Sequence, residues 1–261
     1  MPTLELDFST CINCGQCAKV CPLNVFKKDA NGQVAPQAKA IGRCIECGQC
    51  VALCPTNSLT LDGIDPDSLQ PVENAPLTDL QRDMLFKGRR SIRHFKDGPV
   101  PRDILLAALE DARYAPTGNN TMQTEWVLVE DRAQLRAVGE RIANWLEPFD
   151  NFYSLVAKSF KAGGDPIFRN APGLIIAATR EDVFSPTQDA AEAIAFLELS
   201  LHSRGVGSCW CGYIGWATES GIDLGLPLPA GKKAYGGLLI GMPIFRFRRL
   251  PPRPPLKLTV L

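Results

Sequence analysis

The stretch "CINCGQCAKVCP" runs from Cys11 to Pro22, and "CIECGQCVALCP" follows from Cys44 to Pro55. Eight of the twelve positions are identical, and equivalent positions lie 33 residues apart. Both copies read C-x2-C-x2-C-x3-C-P. They hold eight of the ten cysteines; the others are Cys209 and Cys211. The opening "MPTLELDFST" lacks the basic segment and apolar stretch of a secretory signal. No apolar run nears the roughly 20 residues a membrane span needs. The expected location is therefore cytoplasmic, where thiols stay reduced, and cysteines in this number read as metal ligands rather than disulfides.

Zinc also takes four thiolates, but its sites usually pair two separated C-x2-C knuckles. Three cysteines at steps of three, on a tight turn with a Gly-Gln insert, suit three corners of an iron–sulfur cube. The fourth, followed by proline, suits a reach to a second cube. Residues 1–60 resemble the bacterial 2x(4Fe–4S) ferredoxins. Carried over by position, the resemblance implies one cluster on Cys11, Cys14, Cys17 and Cys54, and a second on Cys44, Cys47, Cys50 and Cys21. Five Lys/Arg and four Asp/Glu lie in this segment, so two cubes of about −2 each would leave it only mildly negative. A diffusible carrier gains on-rate from a strong field; a mild charge leans toward a tethered relay.

The remaining chain is of another kind. Its 261 residues suffice for one large domain or two smaller ones, and 45% hydrophobic with 21% charged residues is ordinary globular composition. A formal net charge of zero gives no bias toward nucleic acid. "DGIDPDSLQPVENAPLTD" (62–79) carries five acids, no bases and three prolines, which reads as an extended linker. The expected organisation is a two-cluster domain over 1–60, a linker over 61–79 and a second domain over 80–261, with the boundary near residue 75. Thr78 and Gln81 form a candidate capping box. "VPRDILLAALEDARYAP" predicts a helix with proline in its first turn, and "RAQLRAVGERIANWLE" (132–147) predicts another. Ser185 is expected to cap a third, with Pro186 in its first turn, Gln188 completing a capping box and Gly205 as the stop. Strands are expected at "WVLVE", "GLIIAAT", "SCWCGY" and "YGGLLIG". The fold class is α+β, long helices on a small mixed sheet.

There is no G-x-G-x-x-G after a strand, no G-x-S-x-G and no Walker loop. With only His94 and His202 available, a histidine-based triad or zinc hydrolase has no material, and the chemistry must come from a bound cofactor. In "KGRRSIRHF" (87–95), Arg89, Ser91 and Arg93 alternate around Arg90 and Ile92. On an extended segment they would share one side, and two guanidinium forks flanking a hydroxyl suit phosphate oxygens. A solvated basic face is the plainer reading, and a nucleic-acid patch lacks interleaved aromatics and lysines. With "APTGNN" (115–120), "GVGSCWCGY" (205–213) and "GMPIFRFRRLPPR" (241–253), in that order, residues 85–255 resemble the nitroreductase family of FMN flavoproteins.

That resemblance implies an FMN-binding α+β sandwich. Arg89, Arg90, Ser91 and Arg93 would hold the phosphate and ribityl chain, joined by Arg248 or Arg249. Residues 242–261 carry five bases and no acid, which also fits a plain basic tail. Pro116, Thr117, Gly118, Asn119 and Asn120 would flank the isoalloxazine edge. Cys211, Gly212 and Tyr213 would lie near its centre. Met122 stands where many relatives have glutamine, with Gln123 next. No catalytic acid or base is assigned, and Cys209 and Cys211 read as small packing residues. The implied protein is an oxidoreductase passing electrons from two 4Fe–4S clusters to FMN and on to a nitroaromatic, quinone or activated alkene. An external ferredoxin or NAD(P)H would be the donor, and the assembly a homodimer. Two alternatives stay open: an electron carrier or redox sensor serving a protein partner, or another flavin reaction such as reductive dehalogenation.

Overall fold

A computed structural model describes every residue from Met1 to Leu261. The chain divides into two compact units, Met1–Pro76 and Leu77–Leu261.

The first unit follows the repeat. Its elements are β1 (Leu4–Leu6), α1 (Gln16–Val20), β2 (Phe26–Lys28), β3 (Val34–Pro36), α2 (Gln49–Ala52) and β4 (Leu59–Leu61). β1 and β4 pair antiparallel with Leu4 opposite Leu61, tying the two ends together, and β2 pairs with β3. Positions 33 residues apart share unusual backbone geometry. Gly15 and Gly48 precede the helices at φ of 73° and 69°; Asn13 and Glu46 lie at 55° and 52°; Asn24 and Asn57 both lie at 52°. Glycine suits this position because a left-handed turn carries no Cβ penalty there. The core is small, built on Val25, Phe26, Val34, Val51, Leu59 and Leu61. A unit of this size ordinarily needs a metal or covalent staple besides its apolar core.

The second unit holds α3 (Asp79–Phe86), α4 (Arg102–Ala112), β5 (Glu125–Val129), α5 (Arg132–Leu146), α6 (Phe152–Lys161), β6 (Gly173–Arg180), α7 (Pro186–Ser203), β7 (Gly207–Trp210), α8 (Gly212–Glu219) and β8 (Lys232–Gly241). Its sheet runs β5-β6-β8-β7 with every strand pairing antiparallel, where a mixed sheet was expected. Alternation along β6 sorts the two faces: Leu174 and Ile176 join the core under α5, α6 and α8, while Ile175 and Ala177 join that under α4 and α7. The α+β architecture is therefore three layers, helices on both faces of one sheet.

Local signals account for several helix starts. The Thr78–Gln81 capping box is present, with Gln81 N donating to Thr78 Oγ1 at 3.2 Å and Thr78 N to Gln81 Oε1 at 3.0 Å. Asp131 caps α5 by accepting from Gln134 N at 2.8 Å. Three expectations need correction. Pro101 sits at the N-cap of α4 rather than inside its first turn. Ser185 precedes α7, but its hydroxyl donates to Asp189 Oδ1 at 2.8 Å instead of forming the expected capping box. The strand expected through "SCWCGY" ends at Trp210: Cys211 N still bonds Gly237 O at 2.8 Å, then Ile214 N turns back to Cys211 O and α8 begins. α6 was not anticipated; Asn151 caps it and Val156, Ala157 and Phe160 are its buried stripe.

Candidate functional site

Thiols from both repeat copies meet in the first unit. Cys21, the last of the first copy, lines one hollow with Cys44, Cys47 and Cys50 of the second, and Leu4, Val20, Val25, Phe26 and Leu61 supply apolar walls. The cavity they border is narrow, about 20 Å³, and partly open to solvent. These thiols border a volume rather than converge on a point: no three His, Cys, Asp or Glu side chains are placed to hold a single ion. The donor set, four thiols around one shared space, is the one a four-iron cube with thiolates at its corners requires. Burial raises the Cys17 thiol, and Cys14 and Cys11 lie near enough to raise it further.

Backbone N–H groups aim at the sulfurs in duplicate. Asn13 N reaches Cys11 Sγ and Glu46 N reaches Cys44 Sγ, both at 3.4 Å. Val25 N reaches Cys21 Sγ at 3.5 Å and Ser58 N reaches Cys54 Sγ at 3.3 Å. As free thiols the groups differ. Burial pushes Cys50 up to about 11, against a hydrogen bond from Val51. Burial also raises Cys54, but hydrogen bonds from Thr56 and Ser58 outweigh it and leave that thiol below its ordinary value.

In the second unit the segment 89–93 runs beside β7. Ser91 bridges Ser208, and Ile92 N donates to Ser208 O at 2.8 Å. Ser91 and Arg93 together line a hollow of about 180 Å³ with His94, Phe245 and Phe247. With Arg90, Arg246 and His202, Arg89 lines an adjoining hollow of about 260 Å³. Its guanidinium lies 3.5 Å from Glu198, which also accepts from Ser208 Oγ at 3.2 Å. Neither hollow has a carboxylate in its lining, so both suit an anion carrying several oxygens. Arg248 and Arg249 are exposed in the C-terminal tail; Arg246 is the tail arginine that reaches a hollow.

The turn 115–122 is anchored on α7. Asp189, buried, accepts from Gly118 N and Ser185 Oγ at 2.8 Å each and from Thr121 Oγ1 at 3.5 Å. Asn119, Asn120 and Met122 hold left-handed φ of 53°, 55° and 49°, and Met122 N donates to Thr117 Oγ1 at 3.0 Å. Gly118 has no room for a side chain, since a Cβ would lie 2.5 Å from Ser185 Oγ. Pro116 and Asn119 are exposed; Thr117, Gly118 and Asn120 are half-buried. Thr117 and Met122 border a third hollow, of about 250 Å³, with Trp126 and Arg113.

At the far end of β7 the chain turns into α8. Gly212 is exposed, and a Cβ there would meet nothing within 4 Å. Cys211 is buried and its thiol is pushed up to about 12 by that burial. It is a neutral packing group. Burial raises Cys209 likewise, against the pull of Arg93, Arg169 and Arg89. Tyr213 is half-buried beside Tyr153, at 6.5 Å between ring centroids, and Tyr153 meets Trp216 at 4.7 Å. Asp189, Glu198, Arg246 and the Tyr153–Trp216 group were missing from the sequence reading. Asp189 and Glu198 looked like ordinary helix acids; nothing local signals partners 71 and 109 residues away.

Residues 86–242, well over half the chain, match the model of the nitroreductase family, and residues 3–55 match a 4Fe–4S dicluster domain. Iodotyrosine deiodinase of Thermotoga neapolitana is 28% identical over 135 residues, covering 48% of this chain and 69% of that protein. Among solved structures, a nitroreductase with bound FMN from Bacteroides fragilis aligns with a TM-score of 0.57 at 23% identity, over 71% of this chain and 100% of that one. A nitroreductase with bound FMN from Desulfitobacterium hafniense gives 0.55 at 24% identity, over 66% and 94%. At such identities these two similarities establish the fold.

Proposed function

The chain belongs to the nitroreductase family, and from that premise we propose that it is an iron–sulfur flavoprotein oxidoreductase delivering electrons to a small organic acceptor. The observation that carries the reading is the meeting of Cys21 with Cys44, Cys47 and Cys50 around one hollow, in a unit attached to a flavoprotein-type fold. The duplicated backbone calls for the reciprocal crossing, with Cys54 joining Cys11, Cys14 and Cys17. Two 4Fe–4S clusters and FMN, when bound, supply single-electron storage and one- or two-electron redox chemistry respectively.

The chain's own residues bind, orient and enclose. Ser91 and Arg93 take phosphate oxygens, the guanidinium as a charge-assisted fork. Glu198 fixes the Arg89 guanidinium, which adds positive field to the same edge of the sheet. Asp189 holds the 115–122 turn so that Thr117, Gly118 and Asn120 present backbone and amide groups to a ring edge. Gly212 leaves backbone N–H accessible at the start of α8. Tyr213, Tyr153 and Trp216 offer aromatic walls to an acceptor of similar character. The exposed tail, with Leu256, Leu258 and Val260 at 88%, 75% and 83% exposure, suits an arm laid on a second copy, so the working assembly is a homodimer. No helix is long and apolar enough to cross a membrane; eight ligand thiols suit a reducing compartment such as the cytoplasm.

Anaerobic turnover tests this. The full chain, loaded with iron and FMN, is given reduced ferredoxin or NAD(P)H and a panel of nitroaromatics, quinones and activated alkenes. Reduction of one class supports the reading. Transfer to a redox protein with no turnover of any small molecule refutes it and leaves an electron carrier. The similarity to a deiodinase favours reductive dehalogenation as a second reading, checked by halide release from halogenated phenols under the same conditions.

A further inference from the structure

The two halves of the cysteine-rich unit can be compared position by position, because equivalent residues lie 33 apart. Thr56 and Ser58 occupy the places of Leu23 and Val25. At Cys21, the Val25 N–H faces the sulfur at 3.5 Å and the flanking side chains are apolar. At Cys54, the Ser58 N–H faces the sulfur at 3.3 Å and the Thr56 hydroxyl lies 3.8 Å from it.

That hydroxyl ends a chain. Thr10 Oγ1 donates to Ser58 Oγ at 2.8 Å, and Ser58 Oγ stands 2.6 Å from Thr56 Oγ1. A ligand sulfur without its proton only accepts, so Thr56 donates to Cys54 and Ser58 to Thr56; behind them stands Thr10 Oγ1, whose one proton is shared between Ser58 Oγ and Asp7 Oδ2 at 3.2 Å. Cys11 has a side-chain donor as well: Gln33 Nε2 lies 3.9 Å from its sulfur. The sulfur of Cys44 receives the Glu46 N–H and has no side-chain counterpart of Gln33. Exposure runs the same way, since Cys14 is exposed and Cys50 is buried.

We propose that Gln33 and Thr56 order the potentials of the two clusters, with the cluster of Cys11, Cys14, Cys17 and Cys54 the higher. The inference rests on the ligand sets proposed above. Reduction adds one negative charge to a cube, and donors aimed at its sulfurs, together with solvent access, stabilise the charged form. The cluster of Cys21, Cys44, Cys47 and Cys50, in its apolar hollow, lacks those side-chain donors. An electron shared between the two therefore rests on the Cys11 side.

The test is an anaerobic redox titration of the full chain followed by electron paramagnetic resonance, with iron analysis alongside. Wild type should give two separated midpoints with about eight iron per chain. Gln33→Leu with Thr56→Val should lower the upper midpoint, leave the lower one in place, and keep the iron. Leu23→Thr, which brings a hydroxyl to Cys21, should raise the lower midpoint. An iron-replete double variant whose upper midpoint does not move, or in which the lower one moves instead, overturns the proposal. Should Thr56→Val cost the protein iron, Leu23→Thr decides alone, and an unmoved lower midpoint overturns it. Wild-type protein that holds no iron defeats the cluster reading itself, an outcome distinct from unmoved midpoints.

Discussion

Replacing Asp189 by alanine should weaken both the fold and the flavin site. The carboxylate is 3% exposed and receives two hydrogen bonds of 2.8 Å, from Gly118 N and Ser185 Oγ. Bonds to a charged partner contribute about 1.5–3 kcal/mol each. The 3.5 Å contact from Thr121 is at the limit and adds little. Gly118 is half-buried, so water can re-satisfy part of what is lost, and the net cost falls at the lower end, about 3–4 kcal/mol. A unit of this size shifts by about 2–4 °C per kcal/mol, so its Tm should drop by about 6–16 °C. The same carboxylate restrains a turn with three left-handed non-glycine residues, each costing about 1–2 kcal/mol relative to a relaxed backbone. Released, the turn should relax, and FMN affinity should fall with stability. Asp189→Asn keeps one acceptor oxygen and should lie between wild type and Asp189→Ala. Near-UV circular dichroism melts and fluorescence titration with FMN read the two effects. An Asp189→Ala protein that melts with wild type and binds FMN equally well would refute the anchoring role.

Arg93→Ala should weaken FMN binding about 10- to 150-fold, the loss of one charge-assisted partner, while barely changing riboflavin binding; equal losses for both ligands would mark Arg93 as a structural residue. Cys21→Ser should disturb the cluster built on Cys44, Cys47 and Cys50 and spare the one built on its own triplet, as read by iron content and the paramagnetic signals of the reduced protein. Gly139→Ala should destabilise the second unit by about 1–3 kcal/mol through overpacking, because a Cβ there would lie 2.2 Å from the Phe160 ring that joins α5 to α6; calorimetry showing an unchanged Tm would contradict that packing.

What was legible in the chain was whatever depends on neighbours within a turn or two. Cysteine spacing of three, a glycine before each short helix and a proline after the last thiol specify one local geometry, and they appear twice with the same dihedrals. Thr78 with Gln81 and the apolar stripe of α5 are of the same kind. Hydrophobic patterning likewise sufficed for an α+β fold, since strand and helix periods are properties of a segment alone. Tertiary structure decided the rest, because each remaining feature is a contact between residues far apart in the chain. Ser185 reads as a cap, yet Asp189 takes its hydroxyl and, with it, the N–H of Gly118. Arg89, Ser91 and Arg93 alternate in sequence, but the ion pair of Arg89 with Glu198, 109 residues away, is visible only in the fold. The "SCWCGY" run has strand composition throughout, and only the length of its pairing with β8 determines that Trp210 ends the strand and Cys211 opens a helix. A hydrogen bond or ion pair satisfied across the fold outweighs a propensity of a few tenths of a kcal/mol, so the side chains that shape the site are those whose partners sequence order conceals.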